Sequence, residues 1–168
     1  MKCPNCKTVV PASAAYCPSC GNAMSRQDPG KTPGEVSPEW LAHLLCQDGY
    51  YDVEVTPDEE VVRGKHKTRP NIVLRIRRDL GCLTMLHWWS LKPSGIFGGG
   101  SVQTAVNKAN NISWLNSFYL DKDGDLAVSS QIWLGRQVGS EDILTFLDRN
   151  AKDFMAAVAA SGLQQHLK

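Results

Sequence analysis

Strand patterns and capped helices both follow a cysteine-rich N-terminus, so the sequence predicts a domain that contains strands and helices. Residues 114–134 alternate apolar and polar side chains on either side of Asp121–Asp125, as two strands joined in a hairpin do. Asp123-Gly124 supplies the turn chemistry, because glycine accepts a positive φ angle. Other strand-like segments occur earlier, and helix start signals precede residues 39 and 141.

The composition is ordinary for a globular protein, with 42% hydrophobic and 21% charged residues among 168. The 18 basic and 17 acidic side chains nearly cancel, which weakens the electrostatic case for a dedicated nucleic-acid binder. The sequence has no apolar run of about 20 residues, the length that spans a bilayer, and its N-terminus lacks the apolar core of a signal peptide. We therefore expect a cytoplasmic protein without membrane contact, whose thiols stay reduced.

Four cysteines follow the spacing C-x2-C-x10-C-x2-C, at Cys3, Cys6, Cys17 and Cys20. Each pair suits a tight turn that points two sulfur atoms at one ion, and four thiolates complete the tetrahedral shell of a structural zinc site. Gly21 follows the second pair and can adopt the positive φ angle that such a turn needs. A redox pair or an accidental cluster of cysteines is the alternative. The pattern resembles the short zinc ribbons at the start of many bacterial proteins, which implies a ribbon over residues 1–23 that holds one zinc ion.

A flexible linker is predicted at residues 24–37, which contain prolines and glycines and few apolar side chains. The main domain is then expected at residues 38–168. Its first helix is predicted to begin at Pro38, with Ser37 as the N-cap, and to end at Asp48-Gly49.

Three strands are expected between residues 50 and 91. Residues 50–55 and 71–78 are predicted strands, and the polar segment 56–70 between them is expected to be an exposed loop or a sheet edge. Residues 82–91 are apolar on both faces, including Trp88 and Trp89. This strand is therefore predicted either to lie in the centre of the sheet with both faces covered or to face a partner.

The basic segment Arg63–Arg78 carries seven arginine and lysine side chains. It could contact phosphate groups, or it could be the solvated face of a strand beside the acids at residues 58–60, which we favour. The glycine-rich residues 95–100 lack the lysine of a phosphate-binding loop, so we interpret them as a connection to the next helix.

Two further helices are predicted after residue 100. The first covers residues 101–111 with Ser101 as its cap. The last has Ser140 as its cap and ends near Gly162. The acidic turn between the hairpin strands also invites a calcium hypothesis. The glycine and the final glutamate of an EF-hand loop are missing from their required positions, however, so a hairpin turn is the favoured interpretation.

The histidines are dispersed and no catalytic motif is visible, so we do not expect an enzyme. The segment from residue 107 to about residue 158 resembles the YbjN-type family of bacterial sensory transduction regulators, related in fold to the chaperones of type III secretion effectors. The resemblance is carried by Asn107, Asn110, Phe118, Leu120, Asp121, Asp123, Gly124, Ser140, Glu141 and Ile143. It implies an α+β fold, in which helices pack on an antiparallel sheet, and action by binding proteins without catalytic residues. The family's plain form lacks a zinc ribbon, so this chain would be a variant.

The sequence and the resemblance together predict a non-enzymatic adaptor, regulator or chaperone-like module that binds an unidentified protein. Trp89, Tyr119 and Trp133 are candidate contacts, because aromatic side chains are enriched at the centres of interfaces. Ordinary core packing under the helices is the alternative for these three residues. A homodimer is compatible with the resemblance. The competing function is a nucleic-acid-associated regulator that contacts phosphate through the ribbon and the basic segment Arg63–Arg78, although the near-neutral charge argues against nucleic acid.

Overall fold

The computed structural model describes residues 2–3, 5–10, 16–21, 30–92, 99–135 and 137–168. The chain divides into two compact units, residues 1–30 and residues 31–168. The first six residues of the predicted linker, 24–29, lie outside the described residues, as does most of the glycine-rich connection before residue 100.

Residues 31–37 pack as part of the larger unit, although they were expected to belong to the linker. Lys31 and Val138 exchange two backbone hydrogen bonds of 2.8 Å, and the Val36 side chain is fully buried. The guanidinium of Arg78 donates to the carbonyl oxygens of Pro33, at 3.1 Å, and Val36, at 2.9 Å. One buried valine and one arginine thus fix a segment whose prolines and glycines suggested a tether.

The larger unit contains one antiparallel sheet, and the α+β prediction is confirmed. Its strands within the described residues are β1 (Tyr51–Thr56), β2 (Val61–Lys65), β3 (Ile72–Arg77), β4 (Cys82–Trp89), β5 (Ser117–Leu120) and β6 (Leu126–Trp133). They lie in the order β1-β2-β3-β4-β6-β5. The β5–β6 hairpin therefore forms one edge of the sheet, and β3 and β4 form its centre.

Three α-helices occur in the described residues: α1 (Pro38–Gln47), α2 (Gly99–Ile112) and α3 (Ser140–Ser161). The Ser37 hydroxyl caps α1 by accepting a hydrogen bond of 3.3 Å from the Trp40 amide, as predicted. The N-cap of α3 is Gly139 instead of Ser140, and the Asp142 carboxylate accepts from the Gly139 amide at 2.9 Å. Helix α2 begins two residues before Ser101, so that serine is not its cap.

Strand β2 lies in the segment that was expected to be an exposed loop or edge. Its first two residues, Val61 and Val62, are buried, and it pairs with β1 on one side and β3 on the other. A short 3-10 turn at Pro57–Glu59 and a left-handed Glu60 (φ 54°) precede it. Two adjacent valines among many charges are too short a pattern to distinguish a strand from a loop.

All three helices cover the same face of the sheet. Helices α1 and α3 pack on the β1–β4 half, around Leu74 and Met85, whereas α2 and the second half of α3 pack on the hairpin, around Phe118 and Val128. Side chains alternate along a strand, so each strand sends its other residues to the opposite side. The cross-strand pairs identify this second side, called here the open face. Its residues are Tyr51, Glu54, Thr56, Val61, Arg63, Lys65, Val73, Arg75, Arg77, Cys82, Thr84, Leu86, Trp88, Ser117, Tyr119, Ala127, Ser129, Gln131 and Trp133.

The β5–β6 turn is formed by hydrogen bonds from its own backbone. The Asp121 carboxylate accepts from the amides of Asp123 and Asp125, at 2.9 and 3.0 Å, and Gly124 has a φ angle of 80°. The hairpin prediction is confirmed, and the Asp121 carboxylate is used in holding the turn.

Candidate functional site: a four-cysteine cluster and the open sheet face

The four N-terminal cysteines converge on one point. Their sulfur atoms all lie within 4.8 Å of one another, with Cys3 Sγ and Cys20 Sγ 3.6 Å apart and Cys6 Sγ and Cys17 Sγ 3.5 Å apart. Zn–S bonds of about 2.3 Å in a tetrahedron place neighbouring sulfur atoms about 3.8 Å apart. The cluster could therefore hold a metal ion, and its spacing and donor chemistry fit a four-thiolate zinc site.

The two cysteine pairs sit on turns of the same kind. The Lys7 amide donates to the Cys3 carbonyl at 3.0 Å, and the Gly21 amide donates to the Cys17 carbonyl at 2.8 Å. In each turn the residue after the second cysteine has a positive φ angle, 61° at Lys7 and 68° at Gly21. The prediction for Gly21 is confirmed. Each turn thereby presents two sulfur atoms to the same side.

The local hydrogen bonds favour the thiolate form that a metal requires. Hydrogen bonding by the Thr8 hydroxyl and amide, together with the thiols of Cys20 and Cys17, lowers the pKa of Cys6 to about 6 despite some opposing desolvation. A backbone hydrogen bond from Cys6 is the main cause of the lowered pKa of Cys3. Metal binding would thus displace fewer protons at neutral pH than it would from ordinary thiols.

Two of the three predicted contact aromatics lie on the open face. Trp133 is 69% exposed and Tyr119 is 42% exposed. Trp89 instead lies on the helix side, where its ring stacks on Phe154 with the centroids 4.5 Å apart. Its neighbour Trp88, which was not among the candidates, is on the open face and is 48% exposed. Neighbouring strand residues point in opposite directions, so only one of the two tryptophans can share a face with Tyr119.

The open-face aromatics form two separate anchor points. Trp88 and Tyr119 both pair with Ala127 and lie in one row across β4, β6 and β5. Trp133 is six residues further along β6 than Ala127, a distance of about 20 Å at about 3.3 Å per residue. Between the two anchors the face carries Leu86, Ser129 and other small or polar side chains.

Trp88 also borders a hollow in the open face. The hollow has a volume of about 220 Å³, and its charged lining residues are the acids Asp52 and Glu54 and the bases Arg63 and Lys65. Its charges are therefore balanced. A hollow of this kind suits a polar side chain of a protein, since it offers partners of both signs.

The basic segment Arg63–Arg78 does not form one surface. The open face carries Arg63, Lys65, Arg75 and Arg77. Arg69 instead pairs with Asp48, and Arg78 donates to the carbonyl oxygens of Pro33 and Val36. Four of the seven cations are paired with carboxylates, as Lys65–Asp52 (3.3 Å), Arg69–Asp48 (2.5 Å), Arg77–Asp79 (2.9 Å) and Arg78–Glu60. Most of their charge is thus neutralised within the protein.

A buried polar network fixes α3 to the sheet, and sequence reasoning missed it. Asn150 is fully buried, and its amide group donates to Ser130 Oγ at 2.6 Å and to Asn116 Oδ1 at 2.8 Å. His87 Nδ1 lies 2.6 Å from the Asn71 carbonyl and so carries the proton, and desolvation by burial lowers the pKa of His87. The one available signal was Ser130, which interrupts the apolar series of β6. These bonds lock the sheet that carries the open face.

The comparisons with known proteins agree with this architecture. Residues 37–158 match the sequence profile of YbjN, a family described as "Putative bacterial sensory transduction regulator". The chain belongs to the YbjN family. The match begins at the Ser37 cap and ends within α3, so it covers the sheet, α1, α2 and most of α3, and it leaves out the four-cysteine cluster.

The fold of a YbjN protein has also been solved. The crystal structure of YbjN from E. coli, "a putative transcription regulator", is similar with a TM-score of 0.56 and 12% sequence identity, over 77% of this chain and 94% of that one. At this identity the likeness establishes the fold alone. No curated protein matches the sequence.

The family description is that of a regulator and not of an enzyme family. Among the helices that the structure describes, none is long and apolar enough to cross a membrane.

Proposed function

We propose that the protein is a non-enzymatic adaptor or chaperone-like regulator that binds another protein on the open face. The observation that carries this proposal is the exposure of Trp88, Tyr119 and Trp133 on the sheet side that no helix of the described chain covers. Tryptophan and tyrosine dominate the binding energy of many interfaces, because they bury a large area with little loss of side-chain freedom.

The spacing of the aromatics favours a macromolecular partner. Anchors about 20 Å apart on a rigid sheet exceed the reach of a metabolite and match the width of a standard interface, about 800 Å² on each partner. The balanced charges of the hollow beside Trp88 favour a protein over a polyanion, whose binding relies on unpaired cations. A second copy of this chain is one such protein.

We further propose that Cys3, Cys6, Cys17 and Cys20 bind one zinc ion with a structural role. Four thiolate ligands leave no open position for a substrate or a catalytic water. A reducing compartment keeps cysteines at this spacing from forming disulfides, so that they remain able to bind a metal. We therefore place the protein in the bacterial cytoplasm. The ribbon would then offer a second small surface, and avidity would result if both surfaces engaged one partner.

Affinity capture tests the proposal. The full-length chain, a Tyr119→Ser/Trp133→Ser double variant and a Trp114→Ser variant are used as baits at low and high salt. Trp114 is the matched control, since it is 93% exposed but lies outside the sheet. A discrete protein held by the wild type and by Trp114→Ser, but lost with the double variant, is the expected result. Sedimentation of the three forms shows whether that protein is a second copy.

Capture dominated by nucleic acid and abolished by salt would instead support the phosphate-binding alternative. Equal capture by the wild type and the double variant would refute a role for the open face.

A further inference from the structure

A groove lies on the helix side of the larger unit, opposite the open face of its sheet. It has a volume of about 370 Å³, within the range of small-molecule sites, and is bounded by the loop at residues 67–70, helix α3 and the C-terminal segment. We call it the Trp89 groove, after its half-buried tryptophan.

The floor of the Trp89 groove is apolar and rigid. Phe154 and Val158, which line it, are 3% and 5% exposed, and Leu167 also lines the groove. The ring of Phe154 is stacked on Trp89, with 10° between the planes, and also on Phe118. Both neighbours hold the Phe154 ring in place, so the floor is already formed without a ligand.

The rim of the groove is cationic. Its charged lining residues are Lys67 and Arg69, and no carboxylate lines it among the described residues. The guanidinium of Arg69 forms an ion pair of 2.5 Å with the Asp48 carboxylate and lies 3.9 Å from the Asp148 carboxylate. Lys67 makes no ion pair within the described chain. Its ammonium is therefore the charge left for a ligand.

The loop that carries Lys67 is held by its neighbour. The ring nitrogen Nδ1 of His66 accepts from the amides of Thr68, at 3.1 Å, and Arg69, at 3.0 Å. The ring also packs edge-on against Tyr50, with the centroids 4.9 Å apart. The backbone beside Lys67 is thus held in position, and the Lys67 side chain itself is exposed.

We propose that the Trp89 groove binds a small amphipathic carboxylate, with its apolar tail on Trp89, Phe154 and Val158 and its carboxylate at Lys67. An apolar floor under a rim of one sign selects a ligand with one charged end, because a neutral ligand leaves the cation unpaired and a cationic ligand is repelled. This site would give the regulator a ligand that is independent of its protein partner.

A titration of the isotopically labelled full-length chain by NMR tests the proposal. The probes are octanoate, octanol and octylamine, which share one tail and differ in the charge of the head group. Octanoate is expected to shift the Trp89 indole and the amides of residues 67–70 and 154–159, and to bind more tightly than octanol. Octylamine is expected to bind most weakly.

Charge reversal at the rim supplies the decisive variant. Lys67→Glu should weaken octanoate binding by about three- to tenfold and leave octanol binding unchanged, since an exposed pair is lost and replaced by a repulsion. Lys108→Glu, an exposed change on α2, is the matched control and should alter neither affinity. Ala159→Trp, an exposed substitution at the groove wall, should block both ligands.

Equal binding of octanoate and octanol in both the wild type and Lys67→Glu would overturn the proposal, because the rim would then contribute no selection. Tighter binding of octylamine, or octanoate shifts that fall outside the groove, would overturn it as well.

Discussion

The Asp153 carboxylate holds the loop between α2 and β5, and its removal gives the most quantitative prediction. It accepts hydrogen bonds from the amides of Trp114 and Leu115, at 3.1 and 3.2 Å, from Asn116 Nδ2 at 2.8 Å, and from the Ser113 hydroxyl. Asp153→Asn keeps the shape of the side chain. Its amide group, however, would face the donors that now point at one carboxylate oxygen.

The size of the effect follows from which of these donors can regain water. Trp114 and Leu115 are exposed, so their amides can be rehydrated, whereas Asn116 is only 6% exposed. Counting one fully lost charge-assisted bond and partial loss of the others, we expect a decrease of about 2–4 kcal/mol in the free energy of unfolding.

The decrease should depend on pH. Burial alone would raise the pKa of Asp153, but the hydrogen bonds from Ser113, Trp114, Asn116 and Leu115 outweigh it and lower the pKa. A carboxyl whose pKa is lower in the folded state contributes stability above its unfolded pKa, about 3.9, and loses that contribution as the pH falls through the folded value. The difference between wild type and Asp153→Asn should therefore be constant from neutral pH to about pH 5 and shrink at lower pH.

Urea unfolding of both proteins at several pH values measures this difference. Asp123→Asn is the control, because that carboxylate is exposed and accepts no hydrogen bond from the described residues. The control should match the wild type at neutral pH. A loss below about 0.5 kcal/mol in Asp153→Asn, or one that stays constant down to about pH 3, would refute the reasoning.

Three further predictions concern separate parts of the chain. Asn150→Leu should destabilise the larger unit by about 2–4 kcal/mol in urea unfolding, because the buried oxygen atoms of Asn116 and Ser130 lose their donor; an unchanged midpoint would contradict this. Gly124→Ala should cost about 1–2 kcal/mol, since φ is 80° but no atom lies within 4 Å of an added Cβ, and a neutral result would mean that the turn relaxes. Metal analysis should find about one zinc per chain and much less in Cys17→Ser. The larger unit of that variant should unfold as it does in the wild type. Full retention of zinc in a variant that lacks both Cys17 and Cys20 would exclude the four-thiolate site.

Local signals in the sequence predicted much of the fold. The hairpin follows from alternation and the Asp-Gly turn, and α1 follows from Ser37 and Pro38, because these features act over a few residues. Strand β2 was missed because its two valines, Val61 and Val62, are buried only through pairing with strands on both sides.

The candidate sites were predictable to different degrees for the same reason. The cysteine cluster was predictable because the spacing of each pair determines a turn. The side of the sheet on which each aromatic lies was not predictable from the sequence. A one-residue change of register would exchange the sides of Trp88 and Trp89, and the register is fixed only by the pairing of β4 with β6. The Asn150 network joins residues 20 to 63 positions apart, and no sequence period reports such contacts.

The most direct test of the open face as a protein-binding surface is the dissociation constant of the captured partner for three forms of the full-length chain. The wild type is compared with Trp133→Ser and with Trp114→Ser. The account predicts that Trp133→Ser raises the dissociation constant at least about tenfold and that Trp114→Ser changes it less than about twofold. An unchanged affinity of Trp133→Ser, with a loss in Trp114→Ser instead, would contradict the account and move the interface to the α2–β5 loop.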